Sequence, residues 1–447
     1  MFKPETVQTF RFVSAIYDEQ SQRAYLGYAF DHQHHFTEII HFAKAPLLNA
    51  QAKSALQAVL KQLHLVAGIS YYKAALPPKI QIETGAISQD NALFLQDLYQ
   101  QGLGEFAYCN QRDLTDYIHF PCQADLKTVA IDYPLPQQTV VPVGGGKDSV
   151  VSIELLKQAG QKPWLLAVGQ SPVIQNVMAV AQLPTILLQR QLSPQLFELN
   201  QQGAYNGHVP ISAILAYIMA AAAIVYGFDT VVMSNERSAN VGNVWWQQQS
   251  INHQYSKSLA FEHAVQMQFA QLLPSLRYFS LLRPLSELHI AALFARFPAY
   301  HAVFSSCNRN FAVQKKHNLQ GLWCLACPKC RFVFLALAPW LPPDKLLAIF
   351  GRNLLADDQQ KQGFAELLGL SGHKPFECVG EIEESQAALF LLSRQPFWAA
   401  LPLVQQLTPQ DDATPAKVGP LFTLSAQHLI PAEFQPVLSC TNLNLTF

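Results

Sequence analysis

Apolar and polar residues alternate with a two-residue period from Thr9 to Phe42, in TFRFVSAIYDEQ and again in RAYLGYAFDH. That period sends one face of each segment into a core and the other toward water, which predicts strands. Through AQAKSALQAVLKQLHLVAG the apolar residues recur every three or four positions, as on one side of a helix, and KIQIET returns to strand spacing. The pattern predicts an α+β module over residues 1–135. It ends in DYPLPQQ, Asp132 to Gln138, where two prolines interrupt any apolar period.

Five short apolar runs follow: TVVPV ending at Val143, WLLAV at Val168, TILLQ at Gln189, TVVMS at Ser234 and YFSLL at Leu282. Each reads as a buried parallel strand, and helical periods separate them. Such β/α alternation predicts an α/β fold with a doubly wound parallel sheet over residues 136–300, whose ligands bind off the carboxyl ends of the strands. The segment from Val209 to Phe228, VPISAILAYIMAAAAIVYGF, carries no charge over a length that could just span a bilayer. Four consecutive alanines, Pro210 at its first turn and Gly227 at its end suit instead a helix buried beside the sheet. Residues 301–447 carry a cysteine cluster, helix-like text through PPDKLLAIFGRNLL and FAELLGL, and a looser tail from about Gln410.

Composition narrows the classes of function. Half of the 447 residues are apolar and 14% are charged, so a folded, multi-domain chain is expected rather than a disordered one. Thirty Lys and Arg balance 31 Asp and Glu, leaving no field to grip a nucleic-acid backbone or an anionic membrane. The first twenty residues lack a basic region followed by an apolar core, so a cytoplasmic location is expected. Eight cysteines in that compartment are not expected to form a disulfide frame.

The chemistry begins at VVPVGGGKDSVVSIELLKQAG, Val140 to Gly160. Glycines let a backbone approach an anion, and the helix that follows aims unpaired N–H groups and its positive end at it. A Walker loop is excluded, because Val141 stands where its first glycine belongs and Asp148 follows the lysine in place of a hydroxyl. A dinucleotide G-x-G-x-x-G is excluded by Asp148 and Ser149. GGGKDS resembles the PP-loop, Ser-Gly-Gly-x-Asp-Ser, of the ATP pyrophosphatase superfamily, with Gly144 where serine is usual. NGHVPISAILAYIMAAAAIVYGFDTVVMSNE resembles that superfamily's second ATP-contact loop, small-residue helix and fourth strand, and LLRPLSEL resembles its fifth strand. The resemblance implies that Gly144, Gly145, Gly146, Lys147, Asp148 and Ser149 bind ATP with Mg²⁺, and that ATP is split into AMP and pyrophosphate. Lys147 falls at the family's variable position, open to phosphate or to solvent.

Cys307, Cys324, Cys327 and Cys330 form one distant thiol and two overlapping C-x-x-C turns. Four soft ligands at this spacing suit a structural, tetrahedral Zn²⁺; redox chemistry and simple burial are the competing readings. The zinc loop of the deazaguanine nitrile synthases, also PP-loop enzymes, looks similar but has a shorter spacer.

Taken together, VPVGGGKDS, NGHVP, SNERSANVGN, WCLACPKCRFVFLAL and CVGEIEES resemble the MurL-type epimerases of bacterial peptidoglycan synthesis. The resemblance implies inversion of the terminal L-glutamate of UDP-N-acetylmuramoyl-L-alanyl-L-glutamate, with ATP converted to AMP and pyrophosphate. Asp148, Glu236, Arg237 and His208 are the candidate catalytic residues. Glu236 would orient Mg²⁺ or take a proton, Arg237 would clamp a carboxylate, and His208 would meet the α-phosphate; an exposed ion pair is the alternative for the first two, and a capping or packing role for the third. Cys378, Glu381, Glu383 and Glu384 read as a solvated helix start or as a source of the acid/base pair. Arg283, Arg309 and Lys257 are candidates for substrate anions. An adenylating ligase or nucleobase-modifying enzyme acting with ammonia or sulfur, and a non-catalytic nucleotide sensor, are the alternative functions.

Overall fold

The computed structural model describes residues 1–311, 321–408 and 414–443. Its strands are β1 (Thr9–Asp18), β2 (Arg23–Phe30), β3 (His34–Phe42), β4 (Lys79–Ile82), β5 (Thr139–Pro142), β6 (Trp164–Val168), β7 (Thr185–Gln191), β8 (Thr230–Met233), β9 (Val244–Trp246), β10 (Gln249–Ile251) and β11 (Arg277–Ser280). Nine of them form one sheet in the order β11-β8-β5-β6-β7-β3-β2-β1-β4, and β9 with β10 makes a separate hairpin. The fold is α/β, as the alternation of periods predicts, and all five apolar runs are strands.

The sheet is mixed rather than purely parallel. β1 and β2 pair antiparallel, as do β2 and β3, whereas β1 pairs parallel with β4 and β5 with β8. β7 corrects the expectation of a strand buried on both faces: it pairs antiparallel with β3, Ile39 opposite Gln191, and Leu187 is exposed between buried Ile186 and Leu188. Only one of its faces is covered, so a short apolar run hid an alternating strand.

Contacts divide the chain into two units, each built from separate segments. The first comprises Met1–Val140, Ile186–Val231 and Trp245–Tyr278. Here the helix Ala50–Ala67 starts at Asn49, whose side chain accepts the Ala52 N–H, and it buries Ala52, Leu56, Val59, Leu60 and Leu63. It packs on the helix Ile211–Tyr226, in which Ala220 to Ala223 are fully buried and allow close approach. That helix has 16 residues, and no helix among the described residues is long and apolar enough to cross a membrane.

The second unit comprises Val141–Thr185, Val232–Val244 and Phe279–Phe447. Its core joins Val150, Val151, Ile153 and Leu156 of the helix Lys147–Gln158 to the helices Glu287–Phe294, Pro328–Leu337 and Ile382–Ser393. The looser tail expected from about Gln410 begins outside the described residues. Within them it is ordered: the helical turns Ala432–Thr441 bury Phe434, Val437 and Thr441.

Candidate active site

β5 runs directly into the glycine loop, and the helix Lys147–Gln158 begins behind it. Gly145 has φ +83°, and a Cβ there would stand 3.0 Å from Val173 Cγ1, so the turn requires glycine. The cap residue Gly146 offers no side chain to the first N–H groups of the helix, which leaves them available to an anion. Ser149 Oγ donates to the Gly146 carbonyl at 3.1 Å and steadies the turn. A Cβ on Gly144 would meet nothing within 4 Å, so the usual serine is missing for no steric reason.

Lys147 does not face solvent. It is fully buried and bonded to Asp148 and to Glu287, itself 1% exposed. Burial works against its charge, but the two carboxylates outweigh burial and hold the ammonium above its ordinary range. Glu287 is raised as well, first by burial and then by Asp148, against the pull of Lys147 and Lys329. Lys329 Nζ lies 3.8 Å from Glu287 and donates to the Cys378 carbonyl. Glu287 and Lys329 escaped sequence reasoning; the only signal was the Ser-Glu start of a helix, with Ser286 Oγ accepting the His289 N–H.

The exit of β8 joins this arrangement. Glu236 is 2% exposed and therefore not part of a surface ion pair; the buried Arg283 donates to its carbonyl at 2.6 Å. Arg283 thus braces the loop from beneath. Arg237 is half-buried, its N–H on the Leu285 carbonyl and its guanidinium 3.5 Å from the Thr423 carbonyl. Arg309 is exposed.

CVGEIEES does begin a helix, with Glu381 and Glu384 forming a reciprocal capping box, but it is not a solvated start. Glu384 is 1% exposed and accepts from the Glu287 N–H at 2.6 Å, the Glu381 N–H at 2.6 Å and Ser238 Oγ at 3.1 Å. Its carboxyl joins two helix starts to the β8 exit. A Cβ on Gly380 would lie 2.5 Å from Phe332 Cζ and closer still to Glu384 Oε2, so only glycine permits this approach. Glu383 is exposed.

The four cysteines converge. Their Sγ atoms lie within 4.8 Å of one another, with Cys324 to Cys330 at 3.7 Å and Cys327 to Cys330 at 3.5 Å. A tetrahedron with Zn–S bonds of about 2.3 Å has edges of about 3.8 Å, so the donor set fits that ion.

His208 belongs to the first unit. It sits in the loop before the helix Ile211–Tyr226, with its ring 4.3 Å from that of His253 and its Nδ1 3.6 Å from Glu105, which also bonds His253. Burial, then His253, Lys257 and Lys73, depress its pKa to about 3, so it is a neutral imidazole. These two histidines and Glu105 form the other set of side chains close enough to share a metal among the described residues. Glu105 and His253, separated from His208 by about a hundred and about fifty positions, were not legible as its partners.

Comparison with known proteins bears on the whole chain. A family profile described as the MurL N-terminal domain matches residues 1–281, and one described as the MurL C-terminal domain matches residues 303–419. A UDP-N-acetyl-alpha-D-muramoyl-L-alanyl-L-glutamate epimerase of Xanthomonas oryzae pv. oryzae is 44% identical over 439 residues, 96% of each chain. Proteins of the same name from Micromonospora sp. and Salinispora tropica are 40% and 38% identical, each over at least 96% of both chains. With both domain profiles matched in order and full-length relatives at this identity, the chain belongs to the MurL family.

Proposed function

We propose that this chain is an isomerase of peptidoglycan precursor synthesis that inverts the terminal L-glutamate of UDP-N-acetylmuramoyl-L-alanyl-L-glutamate, using ATP and forming AMP and pyrophosphate. Full-length relatives bearing that activity in their names support the epimerase. The ATP-dependent route rests on one observation: a strand, a positive-φ Gly145 and an uncapped helix start that together suit a PP-loop. In this reading the loop glycines and Ser149 cradle pyrophosphate, and Asp148 would hold Mg²⁺, which offsets charge on the departing group.

Activation solves a problem of acidity. Removing the α-proton beside a free carboxylate places two negative charges side by side. An acyl-adenylate is neutral at that carbon, and its carbonyl oxygen accepts the developing charge. Hydrolysis of the activated acyl group after inversion drives the cycle forward. The four cysteines would hold a structural Zn²⁺ that pins the start of the helix Pro328–Leu337. We place the reaction in the cytoplasm, where nucleotide-linked precursors and ATP coexist.

The test is incubation with ATP, Mg²⁺ and the L-glutamyl dipeptide nucleotide in D₂O. Deuterium at the glutamyl α-carbon together with AMP is expected. Absence of both removes the proposal, and turnover that requires ammonia or a sulfur donor selects an adenylating ligase in its place.

A further inference from the structure

Among the described residues of the second unit three lysines are buried, and two are satisfied: Lys147 by Asp148 and Glu287, Lys329 by the Cys378 carbonyl. Lys374 is different. It is 7% exposed, and its Nζ is buried without any hydrogen-bond partner. An ammonium has three N–H donors and is not left unpaired in a core without reason.

The backbone that presents Lys374 is firmly held. The Pro375 carbonyl accepts from Asn243 Nδ2 at 2.7 Å, Glu377 bonds Asn308, and the Cys378 carbonyl accepts from Lys329. The charged groups felt by its amine are the carboxylates Glu384, Glu381, Glu236 and Glu287. Three of these are committed elsewhere: Glu384 to two backbone N–H groups and Ser238, Glu287 to Lys147, and Glu381 to the Glu384 N–H of the capping box. The amine therefore belongs to a segment tied to the β8 exit loop through Asn243, and is itself bonded to no group.

We propose that Lys374 is the proton acceptor at the glutamyl α-carbon, an inference that rests on the epimerase reading above. The α C–H bond breaks, its electron pair enters the activated carbonyl as an enolate, and the proton passes to neutral Nζ. Glu381 then delivers a proton to the other face, forming the new C–H bond and becoming a carboxylate. Solvent carries the excess proton from Lys374 to Glu381 and restores both groups. The environments suit these roles: burial lowers Lys374 despite the four carboxylates, and burial raises half-exposed Glu381 against Arg237 and Lys374. Both shifts run in the direction that a proton-accepting amine and a proton-donating carboxyl need.

The experiment separates activation from proton transfer. Full-length wild type and Lys374→Met are assayed for substrate-dependent exchange of labelled pyrophosphate into ATP, and for deuterium entry at the α-carbon in D₂O. The expected result is pyrophosphate exchange within about twofold of wild type and deuterium entry reduced about 100-fold or more, the scale of a lost general base. Deuterium entry within about tenfold of wild type overturns the assignment. Loss of both reactions in a variant with unchanged melting also overturns it, placing Lys374 in activation or packing. Should Lys374→Met not fold, Lys374→Gln supports the same comparison. Wild type lacking pyrophosphate exchange fails the adenylate reading itself, an outcome distinct from a variant that exchanges pyrophosphate but not protons.

Discussion

Replacing Lys147 by Met tests whether the lysine of the glycine loop acts as a buried counter-ion or as a phosphate ligand. Lys147 is fully buried and Glu287 is 1% exposed, so solvent screens little of their interaction. Removing one partner of such a pair leaves a stranded charge and costs about 3–5 kcal/mol. Asp148, with 24% of its side chain exposed, re-solvates and adds little. At a urea dependence of about 3 kcal/mol per molar, the unfolding midpoint of this unit should fall by about 1 M or more.

The loss also has a direction in pH. Without the cation, Glu287 in the folded variant binds its proton more firmly still than the ordinary glutamate value of 4.5 that holds in the unfolded chain. The folded state then carries the extra proton above that value, so stability falls as pH rises; wild-type Glu287 itself holds its proton up to about 7, so the deficit relative to wild type should widen above about pH 7. Adding Glu287→Gln removes the stranded charge and should recover at least half of the loss, with the KM for ATP within about tenfold of wild type. Urea titrations at several pH values and steady-state kinetics of the double variant supply both readings. A midpoint shift below about 0.3 M in Lys147→Met refutes the buried ion pair, and a KM for ATP raised about 100-fold or more in the double variant restores Lys147 as a phosphate ligand.

Gly145→Ala forces a Cβ onto a backbone at φ +83° and against Val173, so it should lose about 1–2 kcal/mol of stability and weaken ATP binding, as measured by calorimetric titration. Normal affinity would remove the loop from the nucleotide site. Cys327→Ser removes one of four sulfurs, so the purified variant should contain no stoichiometric zinc while wild type carries one equivalent by elemental analysis; a metal-free wild type refutes the zinc assignment. Gly380→Ala collides with Phe332 and displaces the Glu384 carboxyl, which should cost about 3 kcal/mol or more in chemical denaturation. A loss below about 1 kcal/mol would mean that Glu384 does not hold the two helix starts together.

What could be read from the sequence was local, and what could not was the pairing between distant segments. The five apolar strands and the helix Ile211–Tyr226 announce themselves because burial imposes a run or a period on neighbouring residues. The cysteine cluster is equally legible: three of its members fall within one loop and turn, and only Cys307 must come from elsewhere. By contrast, nothing in TILLQ reveals an antiparallel partner in β3, about 150 residues earlier. The carboxylates show the same limit more sharply. Glu384 reads as an exposed helix-start acid because capping boxes usually face water; its burial follows from Ser238 and the Glu287 N–H, 146 and 97 positions away. Lys147 reads as a surface or phosphate-facing lysine because its partner Glu287 is 140 positions away. This buried ion pair and the hydrogen bonds of Glu384 link the β5 loop, the β8 exit and the start of the helix Ile382–Ser393. With their carboxylates already engaged, the unpaired amine of Lys374 has a chemical role open to it that a simple salt bridge would have closed.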